Sequence, residues 1–194
     1  MNPRVRIHDV QVLSDDWYVL KKTTFDWQRR DGSWQRQSRE TYDRGDGATI
    51  LLVHRGRGTV VLTRQFRFPT YVNGNDEGLL VEACAGLLDR DDPLACIRRE
   101  AEEETGYRVR EVRKLFELYM SPGSVTEKLH FFVADCDDGD RISGGGGEAH
   151  EGEDIEVIEL TLHEALAQVA RGEIRDAKTV ILLQHAALQG LAPR

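Results

Sequence analysis

Ala85-Gly86-Leu87-Leu88-Asp89, followed after Asp92-Pro93 by Arg99-Glu100-Ala101-Glu102-Glu103-Glu104-Thr105-Gly106-Tyr107, reads as a glycine-containing loop and one helix that gathers carboxylates near its end. Asp92 offers an N-cap oxygen, Pro93 presets the first-turn φ, and Gly106 supplies a left-handed stop. At about 100° per residue, Leu94, Ile97 and Ala101 fall on one stripe, while Glu100, Glu103 and Glu104 share the adjoining face. Glu104 lies close to the apolar edge. Three carboxylates crowded beside a buried stripe repel one another and lose hydration unless something positive sits among them. Magnesium, which takes carboxylate and phosphate oxygens while keeping waters, resolves that conflict. The other reading is a solvated acidic face paired with Arg98 and Arg99, because most charge runs face water.

Around this helix, 194 residues with 40% hydrophobic composition suffice for one main domain with a sizeable core, or for that domain and a small appendage. The net charge of -8 argues against a protein that coats nucleic acid, since such proteins need a basic face. A small anionic substrate is compatible with it where Arg, Lys or metal offsets the field. Cys84, Cys96 and Cys136 are odd in number and lack C-x-x-C spacing, which indicates neither a disulfide framework nor a zinc site. The first ten residues have no apolar signal core, and no later run approaches the roughly 18 apolar residues of a membrane span. The expectation is a cytoplasmic protein with neither a membrane nor a nucleic-acid partner.

Residues 1–46 stand apart from the rest. Two aromatic-flecked polar segments, Trp17 to Trp27 and Trp34 to Tyr42, flank an Asp31-Gly32 turn and read as an antiparallel β-hairpin or short meander. A sheet this small cannot bury Trp17, Trp27 and Trp34 alone, so it is expected to pack on something larger. Residues 47–194 read as a second domain. Its strands are expected at Ala48 to Val53, Thr59 to Phe66, Leu79 to Ala85, Val112 to Tyr119, Lys128 to Ala134 and Asp154 to Leu160, and two C-terminal helices are capped by Thr161 and Asp176. Asp135 to Glu153, with Gly144 to Gly147 in a row, reads as a long mobile loop. This order gives an α/β (α+β) fold, a mixed sheet between helices in an α/β/α sandwich.

Arg99 to Tyr107 resembles the R-E-U-x-E-E-x-G-U half of the Nudix box, with Gly86 as its upstream glycine. The resemblance extends over nearly the whole chain. It is closest to the ADP-ribose-pyrophosphatase-like branch and, within it, to bacterial GDP-mannose pyrophosphatases. Arg39 to Gly45, Arg64 to Arg67, Cys84 to Asp89, Leu118 to Gly123, Glu153 to Val157 and Glu173 to Asp176 carry that likeness. The spacing from Gly86 to Arg99 is one residue shorter than the general box, and Asp91 or Asp92 stands where an intermediate Glu is usual.

The resemblance implies a homodimeric enzyme that uses magnesium, with manganese as an alternative, to hydrolyse the diphosphate of a nucleoside diphosphate sugar. GDP-mannose, giving GMP and mannose 1-phosphate, is the first expectation; ADP-ribose is the runner-up, and a non-catalytic nucleotide-sugar sensor is the alternative of another class. By the same likeness Glu100, Glu104 and the Ala85 carbonyl hold metal and Glu103 supports the cluster. Glu153 is metal ligand and catalytic carboxylate, with Glu151 second. Arg67, Ala85, Gly86, Leu87, Glu104, Glu127, Glu153 and Lys178 line the substrate, Arg67 by a forked phosphate contact and Glu127 through sugar hydroxyls. Trp17, Ser38, Arg39 and Glu40 are expected to reach the nucleotide held by the other subunit, Ser38 standing where a basic residue is usual.

Overall fold

The computed structural model of the protein describes residues 2–88 and 92–191, apart from the Glu151 side chain. Asp91 lies outside the described residues, and so does the side chain of Glu151. The chain divides into two compact units, Met1–Asp46 with Tyr119–Lys128, and Gly47–Leu118 with Leu129–Arg194.

In the first unit Val5–Asp15 (β1), Val19–Gln28 (β2) and Trp34–Asp43 (β3) form an antiparallel sheet in that order. The segments around Asp31-Gly32 are β2 and β3. Strand β1 goes beyond the expectation, and its register with β2 shifts between Ile7 and Asp9 and again between Val12 and Ser14. Each shift breaks the period-two alternation by which a strand is recognised. Two tryptophans are covered by cations instead of by a core. The Arg4 guanidinium lies 4.5 Å from the Trp27 ring centre and that of Arg6 3.7 Å from Trp34. Residues 119–128 join this unit through Tyr42, whose amide donates to the Ser124 carbonyl at 2.8 Å.

The second unit is built on Gly47–His54 (β4), which is buried at every position. A strand covered on both faces needs a layer on each side. Ala48, Ile50 and Leu52 pack in one cluster with Ile97 and Ala101 of the carboxylate helix. The alternate residues Thr49, Leu51 and Val53 point to the other face. Helix Ala177–Gln189, which buries Leu182, Leu183 and Ala186, also packs against β4. Strand β4 pairs antiparallel with Thr59–Phe66 (β5) and parallel with Lys128–Cys136, so the sheet is mixed as expected.

After β5 come a one-turn helix Phe68–Tyr71 (α1) and strands Leu79–Glu82 (β6) and Ala85–Leu87 (β7). The single strand expected over Leu79 to Ala85 is therefore broken: β6 pairs with β5 and β7 with β4. The chain changes partner strand at Ala83 and Cys84, inside a run that is apolar apart from Glu82, so the sequence pattern carries no trace of the switch. Pro93–Thr105 (α2), Val112–Tyr119 (β8), Lys128–Cys136 (β9), Glu156–Thr161 (β10), Leu162–Arg171 (α3) and Ala177–Gln189 (α4) complete the unit. Among the described residues the sheet runs β10-β5-β4-β9-β8, with β6 on β5 and β7 on β4.

The glycine-rich stretch is the second correction, because it is bonded along the end of α2 instead of running free. The Ile142 amide donates to the Gly106 carbonyl at 2.8 Å, Gly146 to Glu104 at 2.9 Å, and Gly147 to Glu103 at 3.0 Å. A helix leaves its last carbonyls without partners, and this loop supplies them. Such close passage demands glycines, whose φ at Gly145 to Gly147 is positive.

Candidate active site

The site in the second unit starts from β7 and α2. The Asp92 carboxylate caps α2 by accepting from the Leu94 and Ala95 amides at 3.0 and 3.2 Å, so this residue serves the helix end. Gly106 at φ 79 closes the other end. One helix face thereby brings Glu100 and Glu104 against β7. A Cβ on Gly86 would overlap the Glu100 carboxyl group, which packs directly on this glycine. Glu104 is 1% exposed and accepts weakly from the Ala85 amide at 3.4 Å. Burial raises its pKa to about 8, and Glu100 and Glu153 push in the same direction, while a hydrogen bond with Cys84 and the charge of Arg67 work against them.

Glu153 arrives by the glycine loop. Its Oε2 accepts from the Glu148 amide at 2.9 Å, and a Cβ on Gly147, at φ 74, would overlap it. Glu103 faces elsewhere: it pairs with Arg99 at 2.9 Å, and Arg99 also meets Glu100 at 2.9 Å. These two pairs are what the solvated-face reading anticipates, with Arg98 donating instead to the Arg110 carbonyl. The buried Glu104 is what that reading cannot hold. Glu100 and Glu104 lie against Ala85 and Gly86, and the charges of Glu100 and Glu153 both act on Glu104; carboxylate oxygens are the donors a hard divalent cation takes. Among the described residues no three acidic, His or Cys side chains stand ready-assembled around one point.

Arg67 follows β5 and donates through Nε to Glu82 Oε2 at 2.7 Å. Lys178, in the first turn of α4, donates to Glu82 Oε1 at 2.5 Å and meets Asp176 at 3.1 Å. Burial disfavours both cations, but Glu82 and Asp176, joined for Arg67 by Glu104, together hold the pKa of each above its ordinary value.

A sequence model described as the NUDIX domain matches residues 43–183, well over half of the chain. The chain belongs to the Nudix family. Residues 4–42 match a second model, described as the GDP-mannose pyrophosphatase NudK N-terminal domain. A protein of Pectobacterium atrosepticum described as GDP-mannose pyrophosphatase is 58% identical over 98% of this chain and 97% of its own. Proteins so described from Klebsiella pneumoniae and Escherichia coli K12 are each 56% identical, covering 98% and 95% of this chain and 96% of their own. A solved structure described as an ADP compounds hydrolase superposes with a TM-score of 0.70 at 18% identity, covering 97% of this chain and 96% of its own, and shares the fold.

Nudix hydrolases use divalent metal ions, and the donor set around Glu104 accords with that chemistry. Helix α2, strand β7 with Ala85 and Gly86, Glu153 and Arg67 come together in this unit, and Arg67 also feels the Glu104 charge. The remaining expected contacts lie in the first unit. Trp17 is 83% exposed, and Ser38, Arg39 and Glu40 are exposed on β3. Glu127 lies 3.7 Å from Arg44. Sequence reasoning missed Glu82, 3% exposed, which joins Arg67 to Lys178. Its signal was available: a lone carboxylate closing the apolar run Leu79-Leu80-Val81.

Two outcomes follow from this geometry. A metal bound by Glu104 would take its carboxylate in the ionised form, whereas the metal-free group holds its proton below pH about 8. Metal binding at pH 7 is therefore expected to release a proton, and affinity to rise with pH and level off above about 8. Calorimetry in buffers of different ionisation enthalpy measures that proton directly. Replacing Gly86 with Ala displaces the flexible Glu100 carboxyl group without disturbing the strand. Manganese affinity is expected to fall about tenfold, as for a disturbed ligand support, with little change in melting temperature.

Proposed function

We propose that this Nudix hydrolase cleaves the diphosphate of GDP-mannose, with magnesium, to GMP and mannose 1-phosphate. The observation that carries the reaction type is the buried Glu104, crowded by Glu100 and Glu153 beside Ala85. The substrate rests on likeness over nearly the full length to proteins described as GDP-mannose pyrophosphatases, extending to the N-terminal residues 4–42.

Glu100, Glu104 and Glu153, with the Ala85 carbonyl, would hold magnesium, for which manganese can substitute. Held there, the ion would supply positive charge against the diphosphate and would make a water more acidic. Glu153 takes the proton of the attacking water, Glu103 and Arg99 steady the helix face, and Gly86 and Leu87 present backbone to the substrate. Arg67 and Lys178 receive phosphate oxygens, and Glu127 accepts from sugar hydroxyls. The active form is a homodimer in which Trp17, Ser38, Arg39 and Glu40 meet the nucleotide bound by the partner. The row of Ile7, Val10 and Val12, more than half exposed on β1, supports such an assembly. A cytoplasmic location is supported by Cys84, Cys96 and Cys136, all free and buried. No helix among the described residues is long and apolar enough to cross a membrane.

The test compares kcat/KM for GDP-mannose, ADP-ribose and related nucleotide sugars in magnesium, with products followed by phosphorus NMR. GDP-mannose is expected to be cleaved fastest. A preference for ADP-ribose overturns the substrate, and tight binding of every compound without cleavage overturns the enzyme reading in favour of a sensor.

A further inference from the structure

Glu82, like Glu104, is a buried carboxylate of the second unit, and both of its oxygens are occupied by cations. Oε2 accepts from Arg67 Nε at 2.7 Å and Oε1 from Lys178 Nζ at 2.5 Å. Removing an acid from water is costly unless it is paired and hydrogen-bonded, and Glu82 is both. The backbone around it is also fixed. Thr63 Oγ1 donates to its carbonyl at 3.3 Å, and the next amide, Ala83, donates to Thr179 Oγ1 at 2.6 Å. Thr179 Oγ1 donates in turn to Asp176 Oδ2 at 2.6 Å, and Asp176 also caps α4 and meets Lys178. A closed ring of bonds thus ties the end of β6 to the first turn of α4.

The atoms that Glu82 occupies matter more than their number. It takes the Nε edge of Arg67, and the two terminal nitrogens of that guanidinium bond to no other described residue while the side chain is 39% exposed. Those terminal nitrogens are the pair that grips two oxygens of one phosphate. Lys178, 12% exposed, donates one of its three protons to Glu82 and is ion-paired with Asp176 at 3.1 Å. Burial works against the charge of Lys178, and Glu82 with Asp176 works for it.

We propose that Glu82 is a positioning residue for substrate binding, which holds Arg67 and Lys178 as one charged receptor whose remaining N–H groups meet the oxygens of a diphosphate. This rests on the reading that Arg67 and Lys178 contact phosphate. The rival role, a counter-charge that merely makes the fold tolerate two cations, predicts the opposite sign: removing a negative charge beside an anion site tightens anion binding.

Inorganic pyrophosphate is titrated by calorimetry into the metal-free full-length protein and its Glu82→Gln and Arg67→Gln variants, alone and combined. Glu82→Gln is expected to weaken binding about tenfold, the size of one charge-assisted contact. The losses of the two single variants should add to more than the double variant loses, because Glu82 acts in part through Arg67. In turnover, KM should rise more than kcat falls, with manganese affinity unchanged. Unchanged or tighter pyrophosphate binding by Glu82→Gln overturns the proposal, as does wild-type protein that binds no pyrophosphate. Should Glu82→Gln not fold, Glu82→Asp keeps the charge but is too short to bridge both cations, and the same weakening is expected. Wild type that binds pyrophosphate yet cleaves no nucleotide sugar refutes the enzyme reading alone.

Discussion

Glu104→Gln is expected to lose turnover by about 10²–10³-fold, the scale for removing one preset electrostatic partner, and to gain stability when metal is absent. Both effects have one cause. The wild-type carboxyl has its pKa raised to about 8 from an ordinary 4.5, so the folded protein favours the protonated form. Its contribution to stability is complete below about pH 4.5 and is lost as the pH rises through about 8. Glutamine keeps the shape and the neutral state at every pH. Above pH 8.5 the metal-free variant should therefore melt on the order of 5–10 °C higher than wild type, whereas at pH 5 the two should melt together. Magnesium should narrow that gap at pH 8.5, because wild type gains more stability from binding it than the variant does. A variant less stable than wild type at pH 9 without metal would show that Glu104 is not a strained acid.

Glu153→Gln is the second large effect. The glutamine Oε1 still accepts from the Glu148 amide, so the glycine loop keeps its place on α2. What disappears is the basic oxygen. A drop of about 10²–10⁴-fold in kcat is expected, the range for a lost general base, with a smaller loss of manganese affinity and an unchanged melting temperature. If kcat holds near wild type, another group takes the proton. The side chain next in order is Glu151, and Glu151→Gln would then show the loss.

The parts of the fold legible in sequence are those fixed by local chemistry. Helix α2 runs between its Asp92-Pro93 start and its Gly106 stop, and α4 between Asp176 and Gly190, because caps and stops act within a few residues. Strands β5 and β8 have the bounds that alternation gives them. The burial of Glu104 was also legible in part, from its place at the edge of the apolar stripe. What escaped depends on residues distant in sequence. The break between β6 and β7 is a change of partner strand, the glycine loop is ordered by carbonyls some 40 positions earlier in the chain as roughly counted, and β1 hides its alternation behind two register shifts. Glu82 was missed for the same reason. Nothing near Leu79-Leu80-Val81-Glu82 announces that α4 will deliver Lys178 to it, about a hundred positions later.

Glu104, Glu100 and Glu153 are expected to hold the divalent ion together. Electron paramagnetic resonance of free manganese, titrated with protein at pH 8, measures it without turnover. Wild type is expected to bind manganese tightly, Glu104→Gln and Glu100→Gln to lose that binding by about tenfold or more, and Glu127→Gln to keep it. Manganese bound as tightly by Glu104→Gln as by wild type would contradict the account.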